Sequence, residues 1–344
     1  MPVICVLATL LWWLPQGGYS PDYLAGWLMC TATTYFVIEI NAANALLRIR
    51  SRMVSSLFLL LMAVCGFLHP ISSGTIGLFA LALSFYFLLR TCENPRPEAD
   101  TFHSHLALAL GSLFWPPLLL LVIVQLWNQG VYLRSLSWRS IGAACCGILL
   151  PYFFWSAGAF VLSDFTGFQN QCAAIISPFY EHFYWKWMLE MVQTLNWEAF
   201  WPAFLPLLQD RILARQPECA ALLLMVLLAL TGFVHYQRKN FDDKIRVRMC
   251  HYTFLSMQVV IFLWLLFQPS HFFQLFPLMV LTTAPSSAHF IALTRTWLTN
   301  VWFVLLTLGI LAVGVCCLVL PSYYLWSLPF SDLSTHLPLF HFNP

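Results

Sequence analysis

Charge is what this sequence lacks. Only 9% of its 344 residues are Asp, Glu, Lys or Arg, against about 25% in a soluble domain, which excludes a soluble fold with a solvated polar shell. The 16 Lys and Arg nearly balance the 14 Asp and Glu, with no basic tail and no acidic block. No nucleic-acid partner is therefore expected, because the chain carries no one-sided field to hold a polyanion. Recognisable catalytic signatures are missing as well. The sequence has no GxGxxG, Walker loop, GxSxG or HExxH, the patterns that mark dinucleotide, nucleotide-phosphate, hydrolase and zinc-protease sites. No cofactor is expected. Nor is there a CxxC or a Cys/His ligand spacing among the eleven cysteines. Most of them lie inside apolar runs, as at Cys30, Cys65, Cys250 and Cys317, where Cys packs as a small hydrophobe. Cys172 with Cys219 is the one pair worth weighing as a disulfide.

What is present is apolar and aromatic. Hydrophobic residues make up 60% of the chain, the mean hydropathy is +0.76, and there are 30 Phe, 15 Trp and 12 Tyr. Trp127, Trp138, Trp297 and Trp326 fall at ends of apolar runs, where interfacial aromatic belts form. A membrane-spanning helix needs about 20 apolar residues. Ten stretches qualify: Pro2 to Leu14, Leu24 to Leu47, Met53 to His69, Gly74 to Leu89, His103 to Trp127, Ile141 to Ser163, Ala220 to Tyr236, Cys250 to Phe267, Phe272 to Leu293 and Val301 to Leu320. The expected fold is all-α, a polytopic transmembrane helical bundle of ten or eleven spans forming a single integral membrane domain over residues 1–344.

Two basic loops set the orientation, RIRSR at Arg48 to Arg52 and QRKNFDDKIRVR from Gln237 to Arg248, since short cytoplasmic loops are enriched in Lys and Arg. With both inside, and His103 to Trp127 counted as one crossing, Asn128 to Arg139 falls outside. An eleventh, polar span at Gln169 to Leu195 is then needed to bring the chain round. The rival arrangement lays that segment on the surface as an amphipathic helix and puts Asn128 to Arg139 inside, at the expense of the earlier loops. It belongs to the one long connection, Asp164 to Glu218, an aromatic-rich stretch with Trp185, Trp187, Trp197 and Trp201. Long connections are where function tends to sit.

Candidate site residues are few. Glu39 lies inside a span with Asn41 and Asn44. A carboxylate there costs on the order of 2.5–3.5 kcal/mol on insertion scales, so Glu39 should face protein or water, as a proton relay, a substrate counter-charge or one end of an ion pair with Arg50. The bland alternative is that all three side chains bond neighbouring helices. Glu181, His182, Lys186 and Glu190 gather acid, base and imidazole within three turns. Glu181, His182 and Lys186 are candidates for acid-base work at the membrane surface, while Lys186 and Glu190, four apart, equally make a plain ion pair. Ten histidines invite a metal reading, with His103, His251 and His289 as candidate ligands, but the HxxxH and HxxHH clusters of membrane di-iron sites are absent.

Three stretches carry a resemblance: EINAANALLRIRSR near the start, LRSLSWRSIGAACCGILLPYFFW at Leu133 to Trp155, and DDKIRVRMC feeding the span from Cys250. Together they resemble a family of uncharacterised polytopic membrane proteins from Bacteroidetes, some of whose members are labelled β-carotene cleaving oxygenases. The resemblance implies a multi-pass protein of the bacterial inner membrane and supplies no set of four histidine ligands for these positions. The expected role is non-enzymatic, either an envelope scaffold or partner subunit that binds other membrane proteins, or a carrier for an apolar or lipid-linked substrate. The alternative is a membrane enzyme, either a histidine-ligated iron oxygenase on a carotenoid-like substrate or a transferase using a lipid-linked donor.

Overall fold

In hydrocarbon the backbone has no water to bond, so apolar runs of this length satisfy their amides only as helices or closed barrels. The computed structural model describes residues 2–13, 20–47, 49, 51–163, 165–180, 216–293 and 297–319. They form twelve α-helices, with no strand among the described residues. The helices are α1 (Pro2–Trp13), α2 (Pro21–Asn44), α3 (Met53–Val64), α4 (Ser73–Arg90), α5 (Glu98–Ser112), α6 (Leu121–Val131), α7 (Trp138–Leu162), α8 (Thr166–Tyr180), α9 (Gln216–Lys239), α10 (Ile245–Phe267), α11 (Phe272–Leu293) and α12 (Trp297–Val319). Several boundaries have local causes. Ser72 with Thr75, and Ser137 with Ser140, make capping boxes that start α4 and α7, each satisfying two amide donors that the helix leaves open. At the other end of α2, Ala45 takes a left-handed conformation, φ 48°, which stops the helix and turns the chain towards α10.

Six helices, α2, α4, α7, α9, α10 and α11, are long and apolar enough to cross a membrane, and shorter apolar helices occupy Val3–Trp12, Met53–Val64, Pro116–Val131 and Thr299–Val315. The protein is a multi-pass, all-α membrane protein.

One expected span is divided. The stretch His103 to Trp127, counted as a single crossing, is a hairpin. Trp115 precedes Pro116 and Pro117, and the ring of a following proline drives a residue out of the α region; Trp115 is extended at φ −138° and ψ 92°, ahead of a short 3-10 turn at Pro116–Leu120. After the turn α6 runs back along α5. Gln129 Nε2 lies 3.4 Å from Thr101 Oγ1 and Ser104 Oγ 3.3 Å from Gln125 Oε1, a register that only an antiparallel pair gives. Thr91 and Ser135 then meet through their hydroxyls at 2.9 Å. The loop Asn128 to Arg139 therefore lies at the same end of the bundle as Arg90 to Asp100, the side on which the rival arrangement put it, and not at the opposite end as eleven crossings required.

With α6 back at the basic end, α7 starts there and runs to the far end. At the far end Gln171 of α8 donates to the carbonyls of Ser112 and Leu113, and α9 ends back among the basic loops, so its first residue lies at the far end too. An odd crossing between α8 and α9 is no longer required; Gln169 to Tyr180 belongs to α8, and Glu181 to Leu195 lies outside the described residues. All described Lys and Arg now share one end: Arg52, Arg90, Arg96, Arg134, Arg139, Arg238, Lys239, Lys244, Arg246 and Arg248. Trp127, Trp138 and Trp297 stand exposed at this same end, as an interfacial belt would.

The axis of the bundle is α11. It packs against α3, α4, α9 and α10 and is buried from Phe272 through Phe290 except at Phe273 and Gln274, as a helix with no Asp, Glu, Lys or Arg can be. Small residues let its neighbour approach. A Cβ on Gly232 of α9 would stand 2.9 Å from backbone atoms of Ser286 and Ser287, and Ser287 Oγ donates across this contact to the Leu228 carbonyl at 3.1 Å. Close backbone approach and a hydroxyl bond are what hold helices together when lipid competes for apolar contacts.

Candidate functional site

At the basic end of the axis three imidazoles and a carboxylate meet. His289 sits on the last turn but one of α11, His235 on the last turn but one of α9, and His251 on the second turn of α10. Asp243 comes from the turn that links α9 to α10. That turn is short, a single 3-10 step at Asn240–Asp242, so it folds the Asp243 side chain under the end of α11. His289 Nε2 lies 3.2 Å from Asp243 Oδ2, and both side chains are buried. The rings of His235 and His251 each stand 5.4 Å from the His289 ring. Tyr236 stacks on His251 at 4.5 Å and meets His289 edge-on at 5.2 Å.

Hydrogen-bond chemistry fixes the tautomers. An ionised carboxylate and a backbone carbonyl can only accept. His289 therefore donates from Nε2 to Asp243, and His251 donates from Nε2 to the Leu46 carbonyl at 2.9 Å. The opposite nitrogen of each ring, Nδ1, then presents a bare lone pair. Both Nδ1 atoms are buried without a hydrogen-bond partner, as are His235 Nε2 and the Tyr236 hydroxyl oxygen. Such orphaned groups are uncommon in folded interiors and mark either trapped water or chemistry. An imidazole oriented by an N–H donated to carboxylate or carbonyl is held as proton-carrying histidines are held. Among the described residues no group of three or more His, Cys, Asp or Glu is set out to hold a metal ion. What the cluster offers is a set of buried proton acceptors around one carboxylate.

The residues singled out from the sequence fall in several places. His251 and His289 come together in this cluster. His103 does not; it is exposed on α5, bonded through Nδ1 to its own helix at Ala99 and stacked 5.1 Å from Phe87. Asn44 links the cluster's surroundings to α2, taking the Arg246 guanidinium on Oδ1 at 3.4 Å while its amide donates to Ile40. Asn41 donates to the Ser51 carbonyl at 2.9 Å and so ties the end of α2 to the start of α3. Glu39 is half-buried, and no hydrogen bond or ion pair reaches its carboxylate from the described residues. Glu181, His182, Lys186 and Glu190 lie outside the described residues. Cys172 and Cys219 are both free thiols.

Sequence reasoning passed over Asp243, His235 and Tyr236. Asp243 stood in a strongly basic loop that reads as solvated, yet it is only 6% exposed. A usable signal was present: His235 and His251 flank the basic loop Gln237 to Arg248 within one turn on either side, which places those two at one level of the bundle. Comparison with known proteins finds no family model that matches the chain, no characterised protein that matches it and no solved structure that matches it.

Proposed function

We propose that the protein is a proton-linked carrier of the bacterial inner membrane, acting on a lipid-linked substrate, with its basic end in the cytoplasm. The orientation follows the distribution of Lys and Arg, all of which lie at one end among the described residues, as cytoplasmic loops do. The observation that carries the reading is the buried His289–Asp243 pair with three orphaned imidazole nitrogens around it. A scaffold gains nothing from ionisable groups placed there, and they are costly to bury. A carrier uses them, because a proton that binds one ring changes which hydrogen bonds hold α9, α10 and α11 together. Charge in the described interior is otherwise sparse, which favours a cargo whose bulk stays in lipid.

The test is proton movement. Purified protein is reconstituted into pyranine-loaded liposomes containing, in turn, phosphatidylglycerol, a polyprenyl phosphate and a glucosyl diacylglycerol. Under an imposed pH gradient one of these lipids should raise proton entry above that of empty liposomes, and Asp243→Asn should abolish the rise. Proton entry equal to that of empty liposomes with all three lipids would overturn the proposal and leave the scaffold reading.

A further inference from the structure

The α5–α6 hairpin encloses a second polar cluster, and this one carries no charge. On α6 the side chains of Gln125, Asn128 and Gln129 are spaced three and four apart, so they share one face, and all three are fully buried. Gln125 is spent within the bundle, donating to Ser84 Oγ at 2.7 Å and facing Ser104. The other two are half-used. Ser256 of α10 donates to Asn128 Oδ1 at 2.6 Å, and Gln129 Nε2 donates to Thr101 Oγ1 at 3.4 Å. That leaves Asn128 Nδ2, a donor, and Gln129 Oε1, an acceptor, buried without partners on adjacent residues. His105, fully buried one turn along from Thr101, gives its Nδ1 proton to the Thr101 carbonyl at 2.8 Å and leaves Nε2 as a further bare acceptor.

We infer that this inner face of the hairpin is a binding site for an uncharged, hydroxyl-rich headgroup, of the kind a glycosylated lipid carries. A hydroxyl both donates and accepts, so neighbouring hydroxyls satisfy Asn128 Nδ2, Gln129 Oε1 and His105 Nε2 together, whereas a phosphate meets two acceptors and no cation. The setting supports the assignment independently of the orphaned atoms. Asn128 and Gln129 stand within one turn of the end of α6, at the basic interface where headgroups lie, and Trp127 beside them is 61% exposed. The inference rests on the carrier reading only in taking the headgroup to be joined to a lipid.

The test measures binding at equilibrium, with no pH gradient and no transport. Protein reconstituted into liposomes of equal parts glucosyl diacylglycerol, phosphatidylglycerol and diacylglycerol is re-extracted, and its retained lipids are weighed by native mass spectrometry. The glucosyl lipid should exceed each of the others about tenfold, and the Asn128→Leu/Gln129→Met double variant should lose that excess. If the double variant does not fold, Asn128→Leu and Gln129→Met are tested singly, each with an expected loss of about threefold. Equal retention of the three lipids, or an excess that the variants leave unchanged, would overturn the assignment. Retained binding without proton entry in the earlier assay would sink the carrier reading alone.

Discussion

His289 on the axial helix donates to Asp243 across 3.2 Å inside the bundle, and both side chains are buried. The Arg90–Asp100 pair at the surface, by contrast, has a guanidinium 48% exposed, and contributes little. Removing the carboxylate leaves a buried imidazole N–H without its acceptor. Asp243→Ala should therefore destabilise the protein by about 1–3 kcal/mol, read as a fall in the denaturation midpoint in detergent. Asp243→Asn keeps an acceptor and should cost less. An Asp243→Ala protein as stable as the wild type would show that the pair does not form.

Gly232 should not tolerate a side chain. A Cβ there meets Ser286 and Ser287 backbone atoms at 2.9 Å, and backbone cannot yield as the end of a flexible side chain can. Gly232→Ala is expected to cost about 1–3 kcal/mol by forcing α9 from α11. Gly142, with no atom within 4 Å of its Cβ position, is the control, and Gly142→Ala should be neutral or slightly stabilising. Thermal denaturation of the two variants side by side decides this.

At the far end His69 makes stability depend on pH. Its ring stacks on Trp12 at 4.0 Å and donates from Nε2 to the Ala63 carbonyl, and burial lowers its pKa to about 4. In the unfolded chain it titrates near 6.5. Between those values the unfolded chain binds the extra proton, so stability is full above pH 6.5 and falls as the pH drops towards 4. The loss approaches a few kcal/mol, on the order of 1.4 per pH unit. His69→Gln should flatten this slope; an unchanged slope would mean that other groups supply it.

The hairpin predicts which loops share a side. In a cysteine-depleted background, Arg96→Cys and Leu136→Cys should react with an impermeant maleimide from the same face of the membrane, and Ser270→Cys from the other. Labelling of Arg96→Cys and Leu136→Cys from opposite faces would restore His103 to Trp127 as one crossing.

The helical bundle itself was legible from hydropathy alone, because in lipid a long apolar run has few other structures open to it. The division of His103 to Trp127 was not, although Pro116 and Pro117 were in view. Prolines are tolerated within membrane helices, and whether they kink or reverse a chain depends on what receives the freed carbonyls. Here the hairpin's polar faces receive each other, and that pairing is a tertiary fact. The site was half legible for a similar reason. His251 and His289 stood out as histidines in apolar runs, but Asp243 looked solvated among basic neighbours until the turn at Asn240–Asp242 tucked it beneath α11. Glu39 stood out for its cost in lipid, and the structure gives it no partner among the described residues.

The central claim is tested most directly by movement of a labelled lipid. Liposomes carrying NBD-labelled forms of the three lipids, with wild-type protein or Asp243→Asn, are exposed to dithionite at intervals after a pH gradient is imposed. The account predicts that at least one lipid changes leaflet faster with the wild type than in empty liposomes, that reversing the gradient reverses the direction, and that Asp243→Asn is inert. Movement that is equal with and without protein, or that Asp243→Asn supports as well as the wild type, would contradict it.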